Sequence, residues 1–417
     1  MKKSCSILVL LVGLLVVPGI VGANSDDTNS VLTNSHLPFF PGELLVKFKQ
    51  GVSLQKRYDI HRNFNISEMR EGYNNLFQII SVIPGREREI AKAYAENSEI
   101  EYAEPNYYRT VNGIPNDELY SFQWHLPMVN MPEAWDVSTG EGVTVAIIDT
   151  GVNPFGRDSF GSTGDNRVLR GYNAIAGLPG GIDFEGHGTH VAGVVGQETD
   201  NGTGVAGIAY GANILPVKSL SIFGVGVDSW IIRGIRWATD QGADVINLSL
   251  GSFDDSQAFE DAVNYAYENG VTVVAAAGNS GEGEVMYPAA YENCIAVGAV
   301  NYIKVITDYS NYGDALDLVA PGGDNNVDLN GDGFADGILQ ENFQFFGFNW
   351  GFWYYAGTSF ASPHVAGIAA LVKSIHPDYG PDEIRQVLQD TAQDLGDSGW
   401  DARYGHGLVD AYAAVSY

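Results

Sequence analysis

Three short motifs hold the side chains needed to make a hydroxyl nucleophilic at neutral pH. Asp149 closes an apolar run in Asp149-Thr150-Gly151, His187 stands in Gly186-His187-Gly188-Thr189-His190, and Ser359 stands in Gly357-Thr358-Ser359-Phe360-Ala361-Ser362-Pro363-His364. A serine attacks a carbonyl carbon when an imidazole takes its proton and a carboxylate holds that imidazole and its charged form. Alone, Ser359 reads as an ordinary helix N-cap, and it is the two motifs upstream that overturn that reading. The run after it (Val365, Ala366, Ile368, Ala369, Leu371, Val372) has the 3.6-residue period of a helix. A helix N-terminus offers unpaired N–H groups and a positive field to an oxygen gaining negative charge. Pro363 is expected inside the first turn, where its missing N–H costs nothing. His187 and His190 could instead share a metal, but the pair between them lacks the glutamate of the zinc-helix pattern.

These residues need a scaffold, and the alternation of patterns supplies one. Apolar runs at 143–148, 214–218, 244–248, 271–277 and 295–300 read as buried strands, and 190–197, 229–241 and 256–269 as helices. The expectation is an α/β fold, a three-layer arrangement with a parallel sheet and helices on both faces. Active sites of such sheets gather at the carboxyl ends of the strands. Asp149 lies at one such end and Asn279 just past another, although Gly278-Asn279-Ser280-Gly281 is by itself a turn sequence.

Ahead of this region, residues 41–108 run strand, helix, strand, helix, strand, with no catalytic cluster, predicting a small α+β, ferredoxin-like domain. Residues 109–122 carry turn residues and no periodicity, so they read as a linker, and 24–40 as a polar spacer. Residues 1–23 read as a secretory signal: Lys2 and Lys3, an apolar run over 7–17, then Val21-Gly22-Ala23 as a cleavage site. That run is short for a membrane span. The expectation is an exported, soluble protein. Cys5 falls in the signal, which leaves Cys294 alone beside an apolar stretch, read as a core residue and not a nucleophile. Without a disulfide, bound metal is the expected staple.

The first 115 residues carry no net charge, so the whole formal net charge of −29 falls on residues 116–417. The break suggests two units with different tasks, and the acidity argues against nucleic acid as a partner.

Taken together, Asp-Thr-Gly, Gly-His-Gly-Thr-His and Gly-Thr-Ser-x-Ala-Ser-Pro-His, in the order Asp, His, Ser, resemble the subtilisin-like serine proteases from about residue 124 to the C-terminus. Pro132-x-Ala134-Trp135-Asp136 points to their thermitase-like branch. Residues 41–108, with Ile100-Glu101-Tyr102-x-Glu104-Pro105-Asn106, resemble the inhibitory propeptide of that family. The resemblance implies a preproprotein: signal 1–23, spacer 24–40, propeptide 41–112 that assists folding, blocks the cleft and is removed near 109–116, and catalytic domain 113–417.

It also implies roles. Asp149, His187 and Ser359 form the triad, and Asn279 donates to the oxyanion with the Ser359 backbone N–H. Gly224, Val225 and Gly226 form one wall for an extended substrate and Ser249, Leu250 and Gly251 the other, a β-augmentation mode with broad specificity. Ala277 and Gly278 flank the primary pocket, and Met286 forms its floor, which favours apolar residues. Residues 199–205 match a calcium loop, with the Asn201 side chain, carbonyls of Thr199, Thr203 and Val205, and the Asp158 carboxylate as ligands.

A second calcium candidate comes from the residues themselves. Asp328, Asn330, Asp332 and Asp336, with Gly333 at the sixth position and Phe334 offering a carbonyl, follow the EF-hand loop pattern, though the twelfth position is Leu339 and not Glu. The loop belongs to an insertion at 322–353 rich in aromatics (Phe343, Phe345, Phe346, Phe348, Trp350, Phe352, Trp353, Tyr354, Tyr355). These read either as a satellite core or as a wall of the cleft, with Tyr355 nearest the substrate.

The sequence therefore predicts a secreted, calcium-stabilised, monomeric serine endopeptidase acting on polypeptides, with its own propeptide as intramolecular inhibitor. Neither a nucleic acid nor a membrane is an expected partner, and activity should rise as His187 loses its proton near about 6.5. The competing reading is an inactive calcium-binding adhesion or scaffold protein on a protease fold. An esterase is disfavoured by the lack of a Gly-x-Ser-x-Gly elbow.

Overall fold

The computed structural model describes residues 39–49, 51–64, 66, 69–72, 76–83, 86–95, 97–107, 114–158, 160, 167–344 and 348–417. The signal at 1–23, the spacer up to residue 38, residues 109–113 of the processing region, and Phe345 and Phe346 lie outside the described residues. Contacts divide the chain into two units: the described residues of 25–118 with 200–202, and those of 119–199 with 203–417.

The smaller unit runs β1 (Phe39–Phe48), α1 (Leu54–Asn63), β2 (Met69–Glu71), β3 (Gln78–Ser81), α2 (Glu87–Ala95) and β4 (Ile100–Tyr107). Its antiparallel sheet has the order β2-β3-β1-β4. Alternate residues of β1 (Leu44, Val46, Phe48) point inward onto Ile60, Ile80, Tyr94 and Ile100, the period-2 burial of a one-sided sheet. Two details differ from the sequence expectation. β1 starts inside the stretch read as spacer, and β2, three residues long, is too short to show a period.

The larger unit opens with a 3-10 turn at Tyr120–Phe122 and two short helices, α3 (His125–Met128) and α4 (Met131–Ala134). It continues with β5 (Thr144–Asp149), β6 (Tyr172–Asn173), β7 (Leu178–Pro179), α5 (His187–Gly196), β8 (Asn213–Lys218), α6 (Asp228–Asp240), β9 (Val245–Leu248), α7 (Gln257–Glu268), β10 (Thr272–Ala276), β11 (Ile295–Val300) and β12 (Leu318–Pro321). A hairpin of β13 (Ile338–Gln344) and β14 (Phe348–Tyr355) precedes α8 (Thr358–Ile375), α9 (Pro381–Asp390) and α10 (Ala411–Val415).

The eight-stranded sheet has the order β12-β11-β10-β9-β5-β8-β6-β7, parallel except for the edge pair β6–β7. Every residue of β9, β10 and β11 is buried. Burial on alternate sides requires cover on both faces, which is why these strands read as nearly continuous apolar runs, broken only by the buried polar residues Asn247 and Thr272. Helices α5 and α8 pack together over the strands, and α6 packs with α7 against the same sheet. The crossing order reverses around β9, β5 and β8, so residues after β5, β8, β9 and β10 collect along one carboxyl edge.

Pro363 is not in the first turn of α8 but in the second, inside the helix. Its missing amide would have bonded the Ser359 carbonyl four residues earlier. The Ser249 hydroxyl takes that place, donating to the Ser359 carbonyl at 2.7 Å.

Candidate active site

His187 is the first residue of α5 and Asp149 the last of β5, which brings them to the same edge of the sheet. His187 Nδ1 lies 2.8 Å from Asp149 Oδ1 and 3.0 Å from Oδ2. The carboxylate is fully buried, and its Oδ1 also accepts the Thr150 amide. A carboxylate can only accept here, so Nδ1 carries the proton and Nε2 is the basic nitrogen. The His187 amide donates to Glu185 Oε2 at 2.7 Å, and its ring lies 5.5 Å from that of Phe360, the residue after Ser359.

Ser359 is half-buried in the first turn of α8. Its Oγ donates to the Ser249 carbonyl at 3.3 Å and so is not turned to His187 in this structure. Long or absent catalytic hydrogen bonds are common before substrate binds. Ser249 ties this turn down. Its Oγ donates to the Ser359 carbonyl and, being left with two lone pairs, accepts from Asn247 Nδ2 at 2.9 Å and from Ser362 Oγ at 3.0 Å.

Asn279 faces the same end of α8. Its Oδ1 accepts both the amide and the hydroxyl of Thr358, each at 2.8 Å. Two donors on Oδ1 fix the amide orientation, so Nδ2 is the free end of an exposed side chain. The Ser359 N–H, in the first turn, has no intrahelical acceptor. Two donors are thus available near the Ser359 hydroxyl.

The expected substrate walls flank this point. Gly224 N and Val225 O close a turn on Ser221, while Gly226 makes no backbone hydrogen bond among the described residues. On the other side, Leu250 and Gly251 likewise leave their backbone groups unpaired by backbone among the described residues. Met286 sits between the second wall and the 277–279 strand end. A Cβ on Gly251 would lie 3.2 Å from Met286 Cβ, and one on Gly278 2.7 Å from its Sδ. The Met286 amide donates to Ala277 O. Tyr355 is half-buried, stacked on Phe360 at 5.6 Å and edge-on to His190 at 4.6 Å. It therefore lines the back of the catalytic helices. In the rest of the insertion, Phe343 is buried against Trp350 and Phe334 stacks on Tyr354, whereas Phe348 is exposed.

Electrostatics revise one expectation. Burial pulls the His187 imidazole down, but Asp149, then Glu185 and Asp183, outweigh it and push it up to about 9, not the 6.5 of a free imidazole. Behind it, burial holds His190 down at about 3 and His364 at about 4, and His125 well below its ordinary value. His364 Nδ1 donates to Phe360 O, so its Nε2 accepts from His125 Nδ1 at 2.8 Å. Asp183, Glu185, Lys218 and this histidine pair were not singled out in the sequence. The spacing Asp183-x-Glu185-x-His187 was the available signal for the first two. Cys294 is buried, and burial with Asp317 pushes its thiol up, in keeping with a core residue.

The calcium candidates can be tested on their donors. In the 328–336 loop, Asp328 accepts from Gly331 N and Gly333 N, Asn330 from Asp332 N, and Asp332 from Phe334 N. Asp336 Oδ2 accepts from Leu329 N, while its Oδ1 is buried without a partner, and burial raises this carboxyl. A buried carboxylate oxygen with no donor is costly, and a hard cation would satisfy it. Among the described residues no three His, Cys, Asp or Glu side chains converge as a metal-binding set. The loop's remaining donors would be amide and carbonyl oxygens. In the larger unit, Asp158 Oδ2 accepts from Val205 N, and Asp158 N donates to Glu341 Oε2. In the smaller unit, Asp117, also not singled out, accepts from the amides of Asp200 and Asn201, and burial pushes its carboxyl up to about 6. No helix among the described residues is long and apolar enough to cross a membrane.

Comparison with known proteins agrees with this geometry. Residues 140–407 match the family described as Subtilase family, peptidase S8, and residues 25–106 match the fervidolysin N-terminal prodomain. The chain is 36% identical over 427 residues to a thermophilic serine proteinase of Bacillus sp. (strain AK1), covering 100% of this chain and 99% of that one. It is 40% identical over 296 residues to subtilisin Savinase of Lederbergia lenta, covering 71% and 99%. A solved protease of Pseudoalteromonas arctica superposes with a TM-score of 0.66 at 35% identity, covering 73% of this chain and 99% of that one.

Proposed function

The chain belongs to the subtilase family of serine proteases, hydrolases of peptide bonds that here carry a propeptide domain, and from that premise we propose the following mechanism. The observation that carries it is the 2.8 Å contact of His187 Nδ1 with Asp149 Oδ1 beside the first turn of α8. Asp149 keeps His187 in the tautomer with a basic Nε2. On substrate binding, Ser359 Oγ turns from the Ser249 carbonyl, gives its proton to Nε2 and bonds the scissile carbonyl carbon. Asn279 Nδ2 and the Ser359 N–H donate to the oxygen that becomes negative. His187 then passes the proton to the leaving nitrogen as the C–N bond breaks, and water repeats the sequence to release the acyl group.

An extended substrate pairs with the free backbone groups of Gly226 on one wall and of Leu250 and Gly251 on the other, which makes specificity broad. Its carbonyl-donating residue sends its side chain to Met286, favouring apolar groups. A peptide library that prefers Lys or Arg at that position contradicts this part.

Calcium would be held by Asp328, Asn330, Asp332, Asp336 and the Phe334 carbonyl in one loop, and by Asp158 with the Thr199, Thr203 and Val205 segment in the larger unit. It would supply positive charge that offsets gathered carboxylates and rigidifies both loops. The protein is secreted, as residues 1–23 suggest, and works as a monomer.

The test of the nucleophile is a serine-directed phosphonate on the matured protein. Mass is expected on the peptide holding Ser359, with peptide hydrolysis abolished. Hydrolysis that persists in Ser359→Ala contradicts the assignment.

A further inference from the structure

Resting on that reading of the triad, we propose that Glu185 selects a basic side chain on the substrate residue immediately before the one whose carbonyl is attacked. Glu185 lies two residues ahead of His187 and is half-buried at the cleft. One oxygen, Oε2, accepts the His187 amide at 2.7 Å. The other, Oε1, takes no hydrogen bond from the protein among the described residues and faces the substrate wall: a Cβ on Gly224 would lie 3.8 Å from it.

The neighbouring charges are all otherwise engaged. Asp183 accepts from the amides of Glu185, Gly186 and Thr189 and from the Thr189 hydroxyl. Asp149 holds His187 and the Thr150 amide. Lys218, the one buried lysine here, spends its ammonium on the carbonyls of Thr150 and Leu220, at 2.6 and 3.0 Å. Three carboxylates against Lys218 alone leave an excess of negative charge whenever His187 is neutral, as it is at the start of the reaction. A cation from the substrate relieves that excess, and Glu185 Oε1 is the acceptor left to bind it.

The sheet order decides which substrate residue reaches it. Met286 lies on the β9–β10 side of Ser359, while Glu185 and Gly224 lie on the β5–β8 side. Side chains of an extended strand alternate in direction. If the residue supplying the scissile carbonyl points to Met286, the one before it points the other way, over His187 and toward Glu185. A lysine or arginine there has the reach to bring its charge to Oε1 while its stem lies along the cleft wall.

The experiment compares kcat/KM for two peptides that differ only by Lys or Leu at that position, using protein matured from the full chain. Wild type is expected to prefer Lys by roughly tenfold, the scale of a charge-assisted hydrogen bond, and less so at 1 M salt. Glu185→Gln keeps an oxygen for the His187 amide, so it retains the local fold while its Lys preference should fall to near unity. Glu185→Lys should favour a third peptide with Glu at that position. An unchanged Lys-to-Leu ratio in Glu185→Gln overturns the proposal for Glu185 alone. Failure of wild type to cleave any of the peptides overturns the reading of the whole site.

Discussion

Ser249 Oγ donates to the Ser359 carbonyl at 2.7 Å, replacing the amide that Pro363 cannot provide. This contact holds the turn that carries the nucleophile, so a side chain on one wall of the cleft positions the residue at its centre. Ser249→Ala would leave the buried acceptor without a partner, at about 1–3 kcal/mol of stability. The expected signature is a lower Tm together with a fall in kcat larger than any rise in KM. An unchanged kcat would mean that Ser359 does not depend on this bond for its position.

The pH profile is a second test. Asp149, Glu185 and Asp183 favour the protonated imidazole, and protonated His187 cannot accept the Ser359 proton. On a substrate with no titratable groups, kcat/KM is therefore expected to climb with pH until about 9. Glu185→Gln removes one of the three charges and should move the midpoint down. The same raised value stabilises the fold below about 6.5 and loses that contribution as pH rises through about 9. A profile centred near 6.5 contradicts this account.

Acid stability depends on the opposite case. His125, His190 and His364 are buried and neutral, with two of the three at about 3 and about 4. The unfolded chain protonates these groups near about 6.5, so stability should fall as pH drops below that value, by at most about 4 kcal/mol per pH unit if all three act together. Denaturant titrations between pH 4 and 7 measure the slope. His125→Phe should flatten it by about one proton, and an unchanged slope would show that His125 does not contribute.

How much of this could be read from the sequence depended on the size of each signal. The mostly apolar runs of β5, β8, β9, β10 and β11 announced a sheet covered on both faces, and Asp149 at the end of one announced the site. β2 is three residues long, too short for any period to show. The β13–β14 pairing was hidden because both strands are crowded with aromatics and amides and show no alternation that separates core from solvent. Ser249 holds the Ser359 turn through a contact 110 positions away, which no local pattern encodes, whereas Glu185 touches His187 two residues on and its spacing is a local signal. The higher titration point of His187 likewise arises only when Asp149 meets Asp183 and Glu185, which lie 34 and 36 positions after it, at one edge.

Calcium makes a fourth prediction. Asp336 brings a buried, unpartnered oxygen to the 328–336 loop. Calcium at 100 times its dissociation constant should stabilise the protein by about 2.7 kcal/mol per independent site. Asp336→Asn keeps the size of the side chain but removes its charge, and should lessen the rise in Tm on adding calcium. Equal rises in both proteins would remove this loop from the calcium account.

The most direct measurement is the intact mass of the full-length chain after folding in calcium, beside a Ser359→Ala copy. The account predicts that the unaltered chain loses the propeptide region, roughly its first 110 residues by the expected boundary, while Ser359→Ala remains whole. Loss of the same segment from both proteins, in a preparation free of other proteases, would contradict Ser359 as the nucleophile.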